Sequence, residues 1–206
     1  MRLTVAGLKG GPGKTTSAVF LALALAEHRT TGHRAGRVLL VDADPLSQSA
    51  IDWRNLAGET WPDAVQVVTW DDPGMSDLVA ESEHVVYDTG GESDELLRAA
   101  LERSDEMICP VGPTPAELRR VPATWATAIA VDEHHPIVAR VLLTKVRAGT
   151  RAAVDARQLL EGRGLPVMAA QVSLWQHYVD AYGTAPTDLA EYVAVLDELL
   201  PAEVPA

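Results

Sequence analysis

Apolar and polar positions along the chain predict short buried strands that alternate with helices. Runs rich in valine, isoleucine and leucine recur between segments of helical length. These runs are continuous rather than interrupted by polar residues, which is typical of strands buried on both faces of a parallel sheet. Strands are predicted at residues 3–7, 37–42, 65–70, 84–88, 106–111, 137–146 and 166–172. The pattern therefore predicts an α/β fold, with a mostly parallel sheet and helices on both faces.

The segments between these strands predict the helices. They are expected at residues 14–28, up to 53, 94–103, 114–131, 151–163, up to 182, and 187–200. No internal repeat or linker separates them, and a chain of 206 residues suits one folded unit. We therefore expect a single domain over residues 1–206, with its last residues, 201–206, frayed.

Composition narrows the classes of function. The formal net charge of −12 argues against a broadly basic nucleic-acid binder, although it leaves a local basic patch open. Cys109 is the only cysteine, so neither an internal disulfide nor a cysteine cluster can form. No stretch of about 18 uncharged apolar residues is present, and the first apolar run is too short for a signal peptide. We expect a cytoplasmic protein that does not enter a membrane.

The stretch LKGGPGKTTS, residues 8–17, is a candidate phosphate-binding loop between a predicted strand and a predicted helix. Its glycines allow backbone N–H groups to approach phosphate oxygens, and the N-terminus of the following helix favours anions. Lys14 is expected to contact the β- and γ-phosphates, and the Thr15 hydroxyl to ligate Mg²⁺. Leu8 stands where the standard pattern has a glycine, so the match is incomplete. A glycine turn without a ligand is the alternative, but the flanking elements favour nucleotide binding.

Two aspartates follow buried strands. Asp42 ends the run RVLLVD, and Asp88 ends the run HVVYD. Ligands of open parallel sheets bind outside the carboxyl ends of the strands, so both side chains are expected near the phosphate loop. A single aspartate at such a place is often only a helix cap, and two of them make that reading weaker.

The pattern K-G-G-x-G-K-T-T resembles the deviant Walker A box of the ParA/MinD family of P-loop ATPases. VDADP resembles the D-x-D-P box of that family, and VVYDTGG resembles its Walker B strand. Residues 47–58, 103–121 and 144–151 resemble further segments of small ParA-type partition ATPases. The resemblance implies ATP and Mg²⁺ as cofactors. Leu46 replaces the glutamine common after the proline of the D-x-D-P box, which leaves the hydrolysis rate open.

The resemblance also implies roles for individual residues. Lys9 would reach across a nucleotide-sandwich homodimer to the phosphates of the partner, with a solvated loop lysine as the alternative. Asp42 would position the attacking water close to Mg²⁺, and Asp88 would hold Mg²⁺ through water.

The implied catalytic residues are Lys9, Lys14 and Asp42, and the implied metal-site residues are Thr15, Asp42 and Asp88. The implied nucleotide-binding residues are Lys9, Gly10, Gly11, Pro12, Gly13, Lys14, Thr15, Thr16 and Thr144. The base pocket of the family is lined after the sixth and seventh strands, where Lys145 and residues 172–175 stand here.

The implied function is slow ATP hydrolysis that helps to segregate plasmid or chromosomal DNA. The ATP-bound homodimer would bind nonspecific DNA on the nucleoid, and a centromere-binding adaptor would stimulate hydrolysis. The loop begins so early that we expect a small form without an N-terminal DNA-binding arm. Candidate DNA-binding residues are Arg140, Arg147, Arg151, Arg157 and Arg163, with Arg119 and Arg120 as a second pair. Solvated faces, with pairing to Asp155 and Glu161, are the alternative reading of these arginines.

Other functions on the same fold remain open. A ParA-like ATPase that positions a non-DNA cargo is one of them. A MinD-like membrane-cycling ATPase would need a basic amphipathic C-terminal helix, and the segment after residue 187 has no lysine or arginine. An iron–sulfur reductase is disfavoured because one cysteine cannot supply its cluster. An amide-forming synthetase would need a further substrate site that the sequence does not identify.

Overall fold

The computed structural model describes residues 1–7, 13–28, 37–91 and 93–200. The strands are β1 Arg2–Val5, β2 Val38–Ala43, β3 Val65–Thr69, β4 His84–Thr89, β5 Glu106–Val111, β6 Val138–Val146 and β7 Val167–Ser173. The helices are α1 Lys14–Glu27, α2 Ser49–Ala57, α3 Met75–Glu81, α4 Asp94–Leu101, α5 Pro115–Leu118, α6 Val121–Asp132, α7 Ala152–Glu161, α8 Gln176–Asp180 and α9 Glu191–Leu199. A short 3-10 helix, Gly58–Thr60, follows α2.

Within the described residues, the strands form one seven-stranded sheet in the order β3-β2-β4-β1-β5-β6-β7. All neighbouring strands are parallel, which confirms the predicted fold class. Val5 of β1 is in register with Asp88 of β4, and Asp88 is in register with Asp42 of β2. The last residues of these strands therefore meet at one edge of the sheet, which we call the carboxyl edge.

Both faces of the sheet are buried, which explains the continuous apolar runs in the sequence. Val38 and Leu40 of β2 belong to a core cluster with side chains of α1 and α9. Leu39 and Val41, which alternate with them, pack on the other face with Ala100 of α4. Full burial of each such Val or Leu side chain contributes about 1.5–3 kcal/mol to folding. The sheet is thus packed between two helical layers. This packing holds the strand ends at the carboxyl edge in place.

One predicted helix is divided in two. The sequence pattern predicts a continuous helix over 114–131, but α5 ends at Leu118 and α6 begins at Val121. Pro122 lies in the first turn of α6. Proline has no N–H to donate to the Leu118 carbonyl, so a continuous helix would lose a hydrogen bond and clash at that point.

Two further helices differ from the predictions. Helix α3 was not predicted, because it is short and contains no fully buried residue. The last helix begins at Glu191 rather than at residue 187, since Ala190 has φ 47° and ψ −127°, which is not helical. Leu189, just before this turn, is buried in the core.

Candidate nucleotide-binding site

The described part of the phosphate loop begins at Gly13. Lys9, Gly10, Gly11 and Pro12 lie outside the described residues. Gly13 has φ 84° and ψ 32°, a left-handed conformation that favours glycine, and it directly precedes α1. No acidic residue lies in the first turn of α1, so the N–H groups at its start meet no carboxylate of their own helix. The start of α1 is therefore suited to an anion.

Lys14 lies at the start of α1, with only 8% of its surface exposed. Burial lowers the pKa of the Lys14 ammonium, and the carboxylates of Asp88 and Asp44 oppose that shift. The lysine is thus enclosed together with the carboxylates of the carboxyl edge. A buried cation at this place can neutralise phosphate charge more strongly than one in water.

Asp88 is buried at the end of β4. The Thr15 hydroxyl donates a hydrogen bond to its carboxylate. Its Oδ1 atom, by contrast, has no hydrogen-bond partner among the described residues. Burial raises the pKa of Asp88 to about 7, and the Asp42 charge adds to that shift, while the Thr15 hydrogen bond and Lys14 oppose it. A buried carboxylate oxygen without a partner is costly, and a bound cation would satisfy it.

These residues fit Mg²⁺. The ion prefers oxygen ligands and is usually bound through one or two carboxylates together with substrate phosphates and water. The Asp88 carboxylate and the Thr15 hydroxyl supply oxygens beside the start of α1. Among the described residues, no group of three or more His, Cys, Asp or Glu side chains is arranged for a metal.

Asp42 is held differently from Asp88. Its Oδ1 accepts a hydrogen bond from Asp44 N at 3.1 Å. Its Oδ2 accepts from Ala50 N at 2.9 Å and from Ile51 N at 3.1 Å, both in the first turn of α2. Burial raises the pKa of Asp42, and these three backbone hydrogen bonds oppose the shift. The carboxylate is therefore fixed in orientation by backbone groups of the loop after β2 and of the first turn of α2.

A cavity of about 240 Å³ opens beside the start of α1. Gly13 and Thr16 line it, together with Thr144 and residues 172–175, so the structure brings these predicted residues together. Trp53 also lines it, together with three tyrosines to which no sequence motif points. They are Tyr178, Tyr182 and Tyr192. The sequence shows these aromatic residues, but only the tertiary structure shows that they share one cavity.

The structure separates the predicted DNA-binding arginines. Arg147 follows the end of β6, and Arg151 precedes α7, so both lie toward the carboxyl edge, and both are exposed. Arg140 is near the start of β6, roughly 20 Å away along an extended strand, and pairs with Glu106. Arg163 follows the far end of α7.

Arg157 is engaged with the edge strand of the sheet. It donates to the carbonyls of Val167 at 3.4 Å and Ala169 at 3.5 Å, and it pairs with Glu161 at 3.6 Å. The second pair, Arg119 and Arg120, lies between α5 and α6. The first set of five candidate arginines, from Arg140 to Arg163, therefore does not form one continuous patch on a single protomer.

The fold and the carboxyl edge define a nucleotide-binding domain with a phosphate loop. Residues 3–184 match the model of the CobQ/CobB/MinD/ParA nucleotide binding domain, and the chain belongs to this family. The predicted family is confirmed. No helix in the described ranges is long and apolar enough to cross a membrane.

The chain is similar to proteins with different names: a carboxysome distribution protein, a virC1 protein and a plasmid partition protein. The chain is 32% identical over 184 residues to maintenance of carboxysome distribution protein A of Gloeobacter kilaueensis, covering 82% of this chain and 74% of that protein. It is 28% identical over 193 residues to protein virC1 of Rhizobium radiobacter, covering 87% and 78%. Its fold is similar to a plasmid partition protein from Borrelia burgdorferi B31 bound to AMPPNP, with a TM-score of 0.68, 17% identity and 96% of each chain covered.

Proposed function

We propose that this chain is an ATPase that binds ATP with Mg²⁺, pairs with a second copy around the nucleotides and hydrolyses ATP slowly. Its proposed task is to position a large cargo in the cell. The observation that carries the proposal is the arrangement of Lys14, Thr15 and Asp88 at the start of α1, with Asp88 Oδ1 left unpartnered among the described residues. Family membership supports the same conclusion.

In this proposal, Lys14 neutralises the terminal phosphates, while Thr15 and Asp88 hold Mg²⁺ directly or through water. Bound Mg²⁺ supplies charge neutralisation at the phosphate oxygens. The nucleoside occupies the cavity between Thr16, Thr144 and residues 172–175. Because much of that cavity is aromatic and apolar, it suits the planar face of a base.

Asp42 is proposed to orient the attacking water and accept its proton. Its three backbone hydrogen bonds prevent the carboxylate from turning, and burial raises its pKa, which makes it a better base. The same hydrogen bonds occupy most of its acceptor positions, so Asp42 acts close to Mg²⁺ rather than as its main ligand.

Two kinds of cargo are consistent with the proposed ATPase. Plasmid or chromosomal DNA, linked through a centromere-binding adaptor, is one, and likeness to a plasmid partition protein supports it. A non-DNA cargo is the other, and likeness to a carboxysome distribution protein favours it. In both cases the ATP-bound homodimer holds nonspecific DNA on the nucleoid. Arg147 and Arg151 are the proposed phosphate contacts.

The experiment compares the wild type with Lys9→Ala and Asp42→Asn by light scattering, with a nonhydrolysable ATP analogue, and by ATP turnover. We expect the wild type and Asp42→Asn to dimerise, whereas turnover falls about 100-fold or more in Asp42→Asn because the water is no longer oriented. Lys9→Ala should bind nucleotide and remain monomeric. Equal dimerisation and turnover of Lys9→Ala and the wild type would contradict the cross-dimer role of Lys9.

A further inference from the structure

Trp53 connects the helix that holds Asp42 with the wall of the cavity. Asp42 Oδ2 is held by the amides of Ala50 and Ile51, in the first turn of α2. Trp53 lies on the next turn of the same helix. It is 1% exposed and is one of the residues that line the 240 Å³ cavity. One helix therefore carries both the groups that orient Asp42 and a residue of the cavity wall.

The contacts of Trp53 fix the position of α2 relative to its surroundings. Its indole N–H donates to the Thr184 carbonyl at 2.8 Å. Its ring meets Phe20 of α1 edge-on, with centroids 6.3 Å apart, and Tyr182 at 5.2 Å. Tyr182 also lines the cavity, and Thr184 follows it closely in the segment after α8. The position of α2 thus depends on the segment that forms one wall of the cavity.

We propose that Trp53 is a positioning residue for hydrolysis, which acts through Asp42 and links the cavity wall to the orientation of the attacking water; this role rests on the proposed ATPase function. A displacement of the indole moves α2 as a unit, because its backbone hydrogen bonds make the helix stiff. The amides of Ala50 and Ile51 then move, and the Asp42 carboxylate moves with them. Misplacement of a catalytic group by about 1 Å can reduce a rate by about 100-fold.

The chain offers a matched control in Trp61. Its indole N–H also donates a hydrogen bond of 2.8 Å to a backbone carbonyl, that of Val65, and its side chain is also buried. It lies beside β3 and does not line the 240 Å³ cavity. Trp53→Phe and Trp61→Phe therefore remove the same kind of hydrogen bond from two buried sites, and only the first is connected to Asp42.

The test measures kcat, KM for ATP and thermal unfolding for both variants. We expect Trp53→Phe to lower kcat about tenfold or more with KM changed less than about threefold, and Trp61→Phe to keep the kcat of the wild type. In an Asp42→Asn background, Trp53→Phe should cause no further loss of kcat, because the two residues act in one step. Replacement of Trp53 by benzothienylalanine keeps the ring shape without the N–H, and should lower kcat if Trp53→Phe fails to fold.

Three results would overturn the inference. Equal kcat for the wild type and Trp53→Phe would show that the indole N–H does not position Asp42. A change in KM alone would show that Trp53 only lines the cavity and does not act through Asp42. Additive losses in the double variant would separate Trp53 from Asp42. Absence of ATP turnover in the wild type would instead contradict the proposed ATPase function.

Discussion

Gly90 lies so close to Asp44 that a Cβ atom at position 90 would come within 2.9 Å of Asp44 Cγ. The loop after β4 therefore packs directly on the loop after β2. Asp44 Oδ1 also accepts hydrogen bonds from Leu46 N at 3.3 Å and Ser47 N at 3.2 Å, which shapes the turn that leads into α2. The absence of a side chain at Gly90 thus lets two site-bearing loops approach each other.

Gly90→Ala is expected to push the Asp44 turn away from β4. The overlap should destabilise the fold by about 1–3 kcal/mol and lower ATP turnover, because the turn leads to the amides that hold Asp42. Denaturant unfolding and a turnover assay measure the two effects. Gly74→Ala is the control, since its Cβ would meet only Asp72 Oδ1, at the longer distance of 3.2 Å, so stability should change less than in Gly90→Ala. Equal effects of both variants would exclude the proposed packing.

The raised pKa of Asp88 predicts how the free energy of unfolding depends on pH. Burial raises its pKa to about 7, whereas an unfolded aspartate titrates near 3.9. Between these values the folded chain keeps the Asp88 proton and the unfolded chain has lost it. The Asp88 contribution to the free energy of unfolding of the ligand-free protein should therefore decrease as pH rises from about 4 to about 7.

Asp88→Asn removes this titration, so the difference in unfolding free energy between wild type and variant measures the Asp88 contribution across that pH range. Mg²⁺ needs the ionised carboxylate, so affinity for Mg²⁺ with ATP should increase more steeply as pH rises through about 7 in the wild type than in Asp88→Asn. Titration calorimetry at pH 6 and pH 8 measures this second effect. The same pH dependence in both proteins would show that Asp88 is not the group that titrates.

Arg147 and Arg151 predict salt-sensitive binding to DNA of any sequence. Each phosphate contact adds about 0.9 to the slope of log affinity against log salt, so Arg147→Ala/Arg151→Ala should reduce the slope by about 2 per protomer. Fluorescence anisotropy with arbitrary duplex DNA, ATP and Mg²⁺ measures it. Arg37→Ala/Arg163→Ala removes two exposed charges from the opposite end of the sheet and should leave the slope unchanged. Equal slopes for both double variants would place DNA elsewhere.

Ser17 and Tyr192 join the first and last helices. The Ser17 hydroxyl and the Tyr192 hydroxyl lie 2.9 Å apart, and both side chains are buried. Ser17→Ala leaves the phenol without this partner and should cost about 1–3 kcal/mol of stability. Adding Tyr192→Phe removes the unpaired hydroxyl, so the double variant should recover part of the loss. Thermal unfolding of both single variants and the double variant measures the coupling, and a double variant less stable than Ser17→Ala would contradict it.

Local sequence information was sufficient to predict most of the fold and to place several candidate-site residues at the carboxyl edge. Apolar runs buried on both faces indicated the strands, because each residue of such a run is covered whichever way it points. Motifs a few residues long predict Gly13, Lys14, Thr15, Asp42 and Asp88 as site residues. Helix boundaries were less accurate, since the division at Pro122 and the turn at Ala190 depend on single residues whose effect competes with the apolar pattern.

The apolar pattern and the short motifs are enough to predict a parallel α/β domain, a phosphate loop and two aspartates after buried strands. The folded chain is needed to see that Asp88 keeps an unpartnered oxygen among the described residues while Asp42 is held by α2. It is also needed to see that Trp53 shares a cavity with Tyr182, and that Arg140 lies far from Arg147. Burial, hydrogen bonding and cavity shape depend on contacts between segments distant in sequence, whereas strand and loop motifs depend on neighbouring residues.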